Sequence, residues 1–210
     1  MQFIELKQNL NNFIVFSGND IKKIWPDFHR RRLNNWQDKN YIKKVTRGYY
    51  VFSDKEVNEN VLYIIANEIL KPSYVSLESA LSYYNLIPEG VYSVISVSSK
   101  KTILLKTFLG DFNYRKIKTE LMFGYQLVNY QGHNFKMAEI EKAVLDYFYI
   151  NSKMKTDDDF FEMRFNVQIF KEMVNMDKFD RYLKAFNNKS LERRIKKFLK
   201  FINNADNRTN

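Results

Sequence analysis

Phe28-His29-Arg30-Arg31-Arg32-Leu33-Asn34-Asn35-Trp36-Gln37-Asp38-Lys39 gives way, after Asn40-Tyr41, to Ile42-Lys43-Lys44-Val45-Thr46-Arg47-Gly48-Tyr49-Tyr50-Val51-Phe52. The first run has helical spacing. Asp27 offers an N-cap, the helix is expected from Phe28 to about Lys39, and Asn40 suits its C-terminal stop. One side carries Leu33 and Trp36 toward a core, and the opposite side carries Arg30, Arg31, Asn34, Gln37 and Asp38. The second run places β-branched and aromatic residues on both sides of a glycine turn, which predicts a hairpin.

Upstream, Phe3, Ile4, Leu6, Leu10 and Phe13 return on one face and predict a helix over residues 2–13. A second short helix is expected after Ser17-Gly18-Asn19, capped by Ser17 or Asn19 and ended by Pro26. Three helices and a hairpin, in that order, are the plan of a winged helix-turn-helix. Such a module lays its third helix in the major groove, where Arg forks onto guanine and Asn or Gln onto adenine. Its hairpin holds the sugar-phosphate backbone. Arg30, Arg31, Asn34 and Gln37 are therefore the candidate base readers, and Lys43, Lys44 and Arg47 the candidate phosphate contacts. The competing reading is a small helical domain used for protein contacts.

The charge distribution is uneven. Over 210 residues the net charge is +10, but residues 1–53 carry ten bases and four acids, residues 54–188 carry 17 and 18, and residues 189–210 carry seven and two. Concentrated excess at both ends suggests nucleic acid at one or both of them, with ordinary solvated lysine faces as an equal reading. No apolar run approaches the roughly 20 residues needed to cross a bilayer, and the first residues lack a secretory pattern, so a soluble, cytoplasmic protein is expected. The absence of cysteine rules out disulfides, thiolate metal sites and cysteine nucleophiles.

Beyond the hairpin, a helix is expected over residues 57–70, closed by Pro72, then one capped by Ser76 with Glu78 in its first turn. Short strands follow at Val91 to Val97, Ile103 to Phe108, Phe112 to Ile117, Met122 to Val128 and Phe135 to Ala138, which predict an antiparallel-type sheet turning at Gly110, Gly124 and Gly132. Helix resumes at Ile140 and dominates to the end. The last helix, Ser190 to about Ile202, pairs an apolar face of Leu191, Ile195, Phe198, Leu199 and Ile202 with Arg193, Arg194, Lys196, Lys197 and Lys200, which reads first as a helix packed on its own domain with a wet face and otherwise as a candidate partner, nucleic-acid or anionic-lipid surface. Asn203 to Asn210 reads as a polar tail.

Little in the sequence points to catalysis. The six glycines form no phosphate-binding loop. Asp157-Asp158-Asp159 reads better as a helix start than as a metal site. Glu139 and Glu141 are expected on different faces of one helix, against a shared site with Asp146. His29 and His133 suggest no metal cage, and no hydrolytic triad is assignable. Neither an enzyme activity nor a cofactor or metal is expected.

Three stretches resemble the AbiEi-type antitoxins of bacterial abortive-infection, type IV toxin-antitoxin systems. Arg47-Gly48-Tyr49-Tyr50-Val51 resembles the family's wing. Tyr74-Val75-Ser76-Leu77-Glu78-Ser79-Ala80-Leu81-Ser82-Tyr83-Tyr84-Asn85-Leu86-Ile87-Pro88 is similar to its most recognisable block, with Asn85 where many relatives carry glycine. Met137-Ala138-Glu139-Ile140-Glu141-Lys142-Ala143-Val144-Leu145-Asp146 resembles its later helix. The resemblance implies a phage-defence antitoxin that represses its own operon at inverted repeats in the promoter. It also implies that the antitoxin counteracts a nucleotidyltransferase-like toxin without a stable complex. The recognition helix does not match residue by residue.

The sequence thus predicts an α+β chain. A winged helix-turn-helix over residues 1–54 precedes an α+β antitoxin domain over residues 55–210, helical from about 140 to 203. The alternatives are a DNA-binding adaptor that grips a partner protein through the basic last helix, and a metal-dependent nuclease built on the acidic residues. The YVSLESAL and EKAVLD segments are read mainly as core, with Glu78, Glu139, Glu141 and Lys142 as polar links.

Overall fold

The computed structural model describes residues 2–88 and 93–206. Val91, the first residue of one expected strand, and the last four residues of the expected tail lie outside them. The chain is mixed α+β, with helices packed around two sheets.

The amino-terminal unit runs α1 (Phe3–Leu10), β1 (Phe16–Ser17), α2 (Gly18–Ile24), α3 (Arg31–Asp38), β2 (Ile42–Thr46) and β3 (Tyr49–Phe52), with the strands in the antiparallel order β1-β3-β2. Leu6 and Leu10 anchor α1 in a small core with Phe16, Ile21, Phe28, Leu33, Trp36, Ile42, Tyr50 and Phe52. α1 is shorter than its apolar pattern predicts: Ile4 is 65% exposed and Phe13 lies past the helix end. Ser17 caps α2 in a reciprocal box, its hydroxyl accepting from the Asp20 N–H while the Asp20 carboxylate accepts from the Ser17 N–H at 3.0 Å. α3 starts three residues later than expected, and Asp27 is not its cap. Phe28 is buried instead, stacked on Trp36 with ring centroids 5.9 Å apart, and the chain reaches α3 through tight turns. The end of α3 is a left-handed stop at Asn40 (φ 53°): the Asn40 N–H donates to the Gln37 carbonyl and the Tyr41 N–H to the Trp36 carbonyl.

Gly48 closes the β2–β3 turn at φ 87°, a conformation that glycine adopts without strain. Near it the register slips at Val45, between the Lys44–Tyr50 and Thr46–Tyr49 pairs.

A six-stranded sheet forms the rest of the centre: β4 (Ser73–Val75), β5 (Ser93–Ser98), β6 (Ile103–Thr107), β7 (Gly110–Lys116), β8 (Tyr125–Tyr130) and β9 (His133–Ala138), in the order β6-β7-β5-β4-β9-β8. It is mixed, which corrects the expected antiparallel type. β7 folds back between β6 and β5 and so runs parallel to β5, while β4 pairs in parallel with β9 through Val75 and Met137. β4, a central strand, is only three residues long and carries too little period-two signal to be read from the sequence.

α4 (Glu59–Ile69), capped by Asn58, covers one face of the sheet, where the Tyr114 hydroxyl of β7 donates to the Ala66 carbonyl at 2.7 Å. α5 (Leu77–Tyr83) and α6 (Ile140–Ile150) cover the other face, where Tyr74 of β4 meets Asp146 of α6. α7 (Asp157–Glu162), α8 (Val167–Met173), α9 (Met176–Ala185) and α10 (Lys189–Asp206) pack behind α6. Phe198 of α10 fills that layer, 4.8 Å from the Phe148 ring and 5.5 Å from that of Phe160. The acidic run 157–159 forms the first turn of α7, boxed by Thr156 and Asp159. No described helix is long and apolar enough to cross a membrane.

The larger core also takes in Ile14, Val15, Val45 and Val51 from the amino-terminal unit, which therefore packs against α4 and the β6–β7 end of the sheet.

Candidate nucleic-acid interface

An open groove of about 810 Å³ runs between α3 and the β2–β3 hairpin. It is lined by Arg30, Arg31 and Asn34 on one side and by Lys44, Arg47 and Tyr49 on the other, with Ser17, Gly18 and Asn19 at the start of α2. The four cations and Asn34 are exposed. Leu33 and Trp36 hold α3 by its inner face, so successive turns of its outer face present Arg30, Arg31 and Asn34. The groove thus combines guanidinium and ammonium groups, which attract phosphate, with the side-chain amide of Asn34.

Two expected members stand elsewhere. Gln37 is partly buried and its side-chain amide donates to the Leu33 carbonyl at 3.0 Å, which ties it to its own helix. Lys43 pairs with Val51, whose side chain enters the larger core, and strand alternation turns Lys43 the same way. Its Nζ lies over the Phe108 ring, 5.5 Å from the centroid, at the tip of the β6–β7 hairpin. Lys44, one residue on, faces the groove.

The sequence reading missed Ser17, Gly18, Asn19 and Tyr49, which only the fold brings opposite α3. It placed the strands of the β6–β7 hairpin but not their position beside the wing. Residues 100–118 carry six bases and one acid, a local excess hidden by the near-neutral sum over residues 54–188, and this stretch abuts β2.

Asp20, behind the groove, has its carboxyl pushed up by burial, but hydrogen bonds from Ser17 and Lys23 outweigh that and leave it below the ordinary carboxylate value.

At the other end of the chain, α10 presents Lys189, Arg193, Lys196, Lys197 and Lys200 to solvent. Arg194 does not belong with them. It is 8% exposed and donates to the Ser190 hydroxyl and to the Phe148 carbonyl, each at 2.9 Å, fastening α10 to α6. Its angular position on the helix falls beside the apolar stripe, which the count of bases in the segment concealed.

The segments 74–88 and 137–146 converge in a sealed polar network. Lys142 and Asp146, one turn apart on α6, form an ion pair with both side chains fully buried. Lys142 Nζ also donates to the Tyr74 hydroxyl at 2.8 Å, and the Tyr74 and Ser76 hydroxyls donate to Asp146 Oδ2 at 2.9 Å each. The rings of Phe186, Phe123 and Tyr74 surround the ammonium at 4.7–5.5 Å. Burial pushes the lysine down and the aspartate up, and their mutual attraction opposes both shifts. Ser76 therefore spends its hydroxyl on Asp146 and forms no side-chain cap on α5, contrary to expectation. Glu139 and Glu141 also differ from expectation. Glu139 is the extended residue before α6, so helical spacing does not separate them, and Lys178 bridges both at 3.1 and 3.2 Å. Gly124 (φ 66°) packs against this region so closely that a Cβ there would lie 2.9 Å from Tyr182 Cε2. With Lys142 and Asp146 fully buried, the pair acts as a polar clamp between sheet and helices, while Glu139 and Lys178 at its edge are partly exposed.

Among the described residues no group of three or more His, Asp or Glu side chains gathers to hold a metal ion. No protein-family model matches the chain, and no curated protein matches it.

Proposed function

We propose that this chain is a DNA-binding repressor whose amino-terminal unit is a winged helix, with α3 as the reading helix and β2–β3 as the wing. The observation that carries this reading is the groove, in which Arg30, Arg31 and Asn34 from one element and Lys44 and Arg47 from another converge on a single exposed concavity. The order α1-β1-α2-α3-β2-β3 and the +6 excess of residues 1–53 support it. The positive hairpin at residues 100–118 lies beside the wing and adds to the favourable potential on that side.

With the resemblance to AbiEi-type antitoxins, the reading extends to a cytoplasmic, non-enzymatic autorepressor that counteracts a nucleotidyltransferase-like toxin. That extension rests on the three quoted stretches. The alternative of a protein adaptor working through α10 loses Arg194, whose guanidinium is engaged inside the fold.

The test is a mobility-shift titration of the chain on its own promoter against a scrambled duplex, repeated over a range of salt. Arg47→Ala is expected to weaken both duplexes alike and to lower the salt slope by about one. Arg31→Ala and Asn34→Ala are expected to weaken the promoter selectively, by about 1–3 kcal/mol per lost base contact. Equal affinity for both duplexes in the unmodified chain would reject the repressor reading.

A further inference from the structure

We propose that the exposed face of α10 is a second nucleic-acid surface that takes RNA, separate from the groove. At 100° per residue Lys189, Arg193, Lys196, Lys197 and Lys200 fall within one stripe along the helix, and Arg194 falls outside it. At 1.5 Å rise per residue the stripe is about 16 Å long, with neighbours one turn apart, on the order of 5–6 Å. That interval is close to the phosphate repeat of a nucleic-acid strand. None of the five cations forms an ion pair among the described residues. Arg193 Nε turns back to the Lys189 carbonyl at 3.4 Å, and the remaining charge faces solvent.

Three observations narrow the occupant. The apolar face of α10 is spent in the core, with Leu191, Ile195, Phe198 and Ile202 at 0–1% exposure, so the helix has nothing to insert into a lipid surface. The stripe is four lysines and one arginine with no aromatic residue among them. Lysine is depleted from protein–protein interface centres and aromatic residues are enriched there, so this composition fits a phosphate backbone better than a protein partner.

The third observation is its place in the fold. The amino-terminal unit packs on the α4 side of the sheet and α10 behind α6 on the opposite side. α4, the sheet and α6 intervene, helix layers being on the order of 10 Å thick. The stripe therefore lies across these layers from the unit that carries the groove, a position suited to a nucleic acid separate from a duplex seated there, and RNA is the strand assigned to it.

The experiment compares the full chain with the quadruple variant Arg193→Gln, Lys196→Gln, Lys197→Gln, Lys200→Gln, and with Arg47→Ala. The probes are a short RNA stem-loop, the promoter duplex and a scrambled duplex, and far-UV circular dichroism checks the fold. The quadruple variant should lose about tenfold or more in RNA affinity and lower the RNA salt slope by about three, while promoter binding stays unchanged. Arg47→Ala should do the reverse, so failure of the groove reading and failure of this one are distinguishable. No RNA binding by the unmodified chain, or RNA binding untouched in the quadruple variant, overturns the proposal. Equal losses for promoter and RNA overturn it in favour of one wrapped duplex. Loss of a co-purifying acidic protein with RNA binding intact assigns the stripe to a protein instead.

Discussion

Lys142 and Asp146 form an ion pair with both side chains fully buried, and neither charge is tolerable there alone. The desolvation of two ions is offset by their contact, by the Tyr74 and Ser76 hydroxyls on the carboxylate and by three aromatic rings about the ammonium. Removing one partner strands the other. Lys142→Met or Asp146→Leu should each cost about 3–5 kcal/mol in urea-unfolding free energy. The double variant should cost well under the sum, although it leaves the Tyr74 and Ser76 hydroxyls without their acceptor. Additive losses would mean that the two charges are not coupled. At the same scale, period two already separates Lys43 from Lys44: adjacent strand residues face opposite ways, and only one of them reaches the groove. The residue types alone assigned both to the phosphate backbone, although period two allows only one of them to face it. Which one faced outward depended on Val45 and Val51 entering the larger core, which is a tertiary fact.

Among the elements, α2 shows how local chemistry sets a boundary beside the groove. Its reciprocal cap leaves the Asp20 carboxyl below its ordinary value of 3.8, so the cap contributes stability that is fully present above about pH 4 and is lost as the pH falls through the depressed value. Thermal midpoints of the native chain and of Asp20→Ala should therefore differ by a constant gap near neutral pH and converge in acid. A gap that widens on acidification would contradict the assignment. Ser17→Ala, which removes the other half, should cost about 1 kcal/mol. The helix start was legible, but the cap was left between Ser17 and Asn19, and Asp20, three residues after Ser17, closes the reciprocal pair that decides it. The start of α3 was not, because Asp27 looks equally good on local grounds and loses to the burial of Phe28 against Trp36. β4 illustrates the same limit: three residues after a proline carry no periodicity, yet they join the two halves of the sheet. The groove residues on α3 were readable from its amphipathic spacing, whereas Tyr49 and the β6–β7 hairpin enter only through packing.

For the molecule as a whole, what matters is that the amino-terminal unit does not stand apart. Ile14, Val15, Val45 and Val51 contribute to the same buried cluster as α4, α6 and the six-stranded sheet, while the smaller core is its own. Both tryptophans, Trp25 and Trp36, lie at that smaller core, so fluorescence reports on the amino-terminal unit and far-UV circular dichroism on the whole chain. If the shared cluster couples the two, urea unfolding followed by the two signals should give coincident transitions. Val51→Ala deletes two carbons from the shared side and should cost about 2 kcal/mol, moving both transitions together. A fluorescence transition that separates from the dichroism signal would mean that the reading unit opens independently. The orientation of the groove relative to α10 would then vary, and a single duplex could come to serve both surfaces.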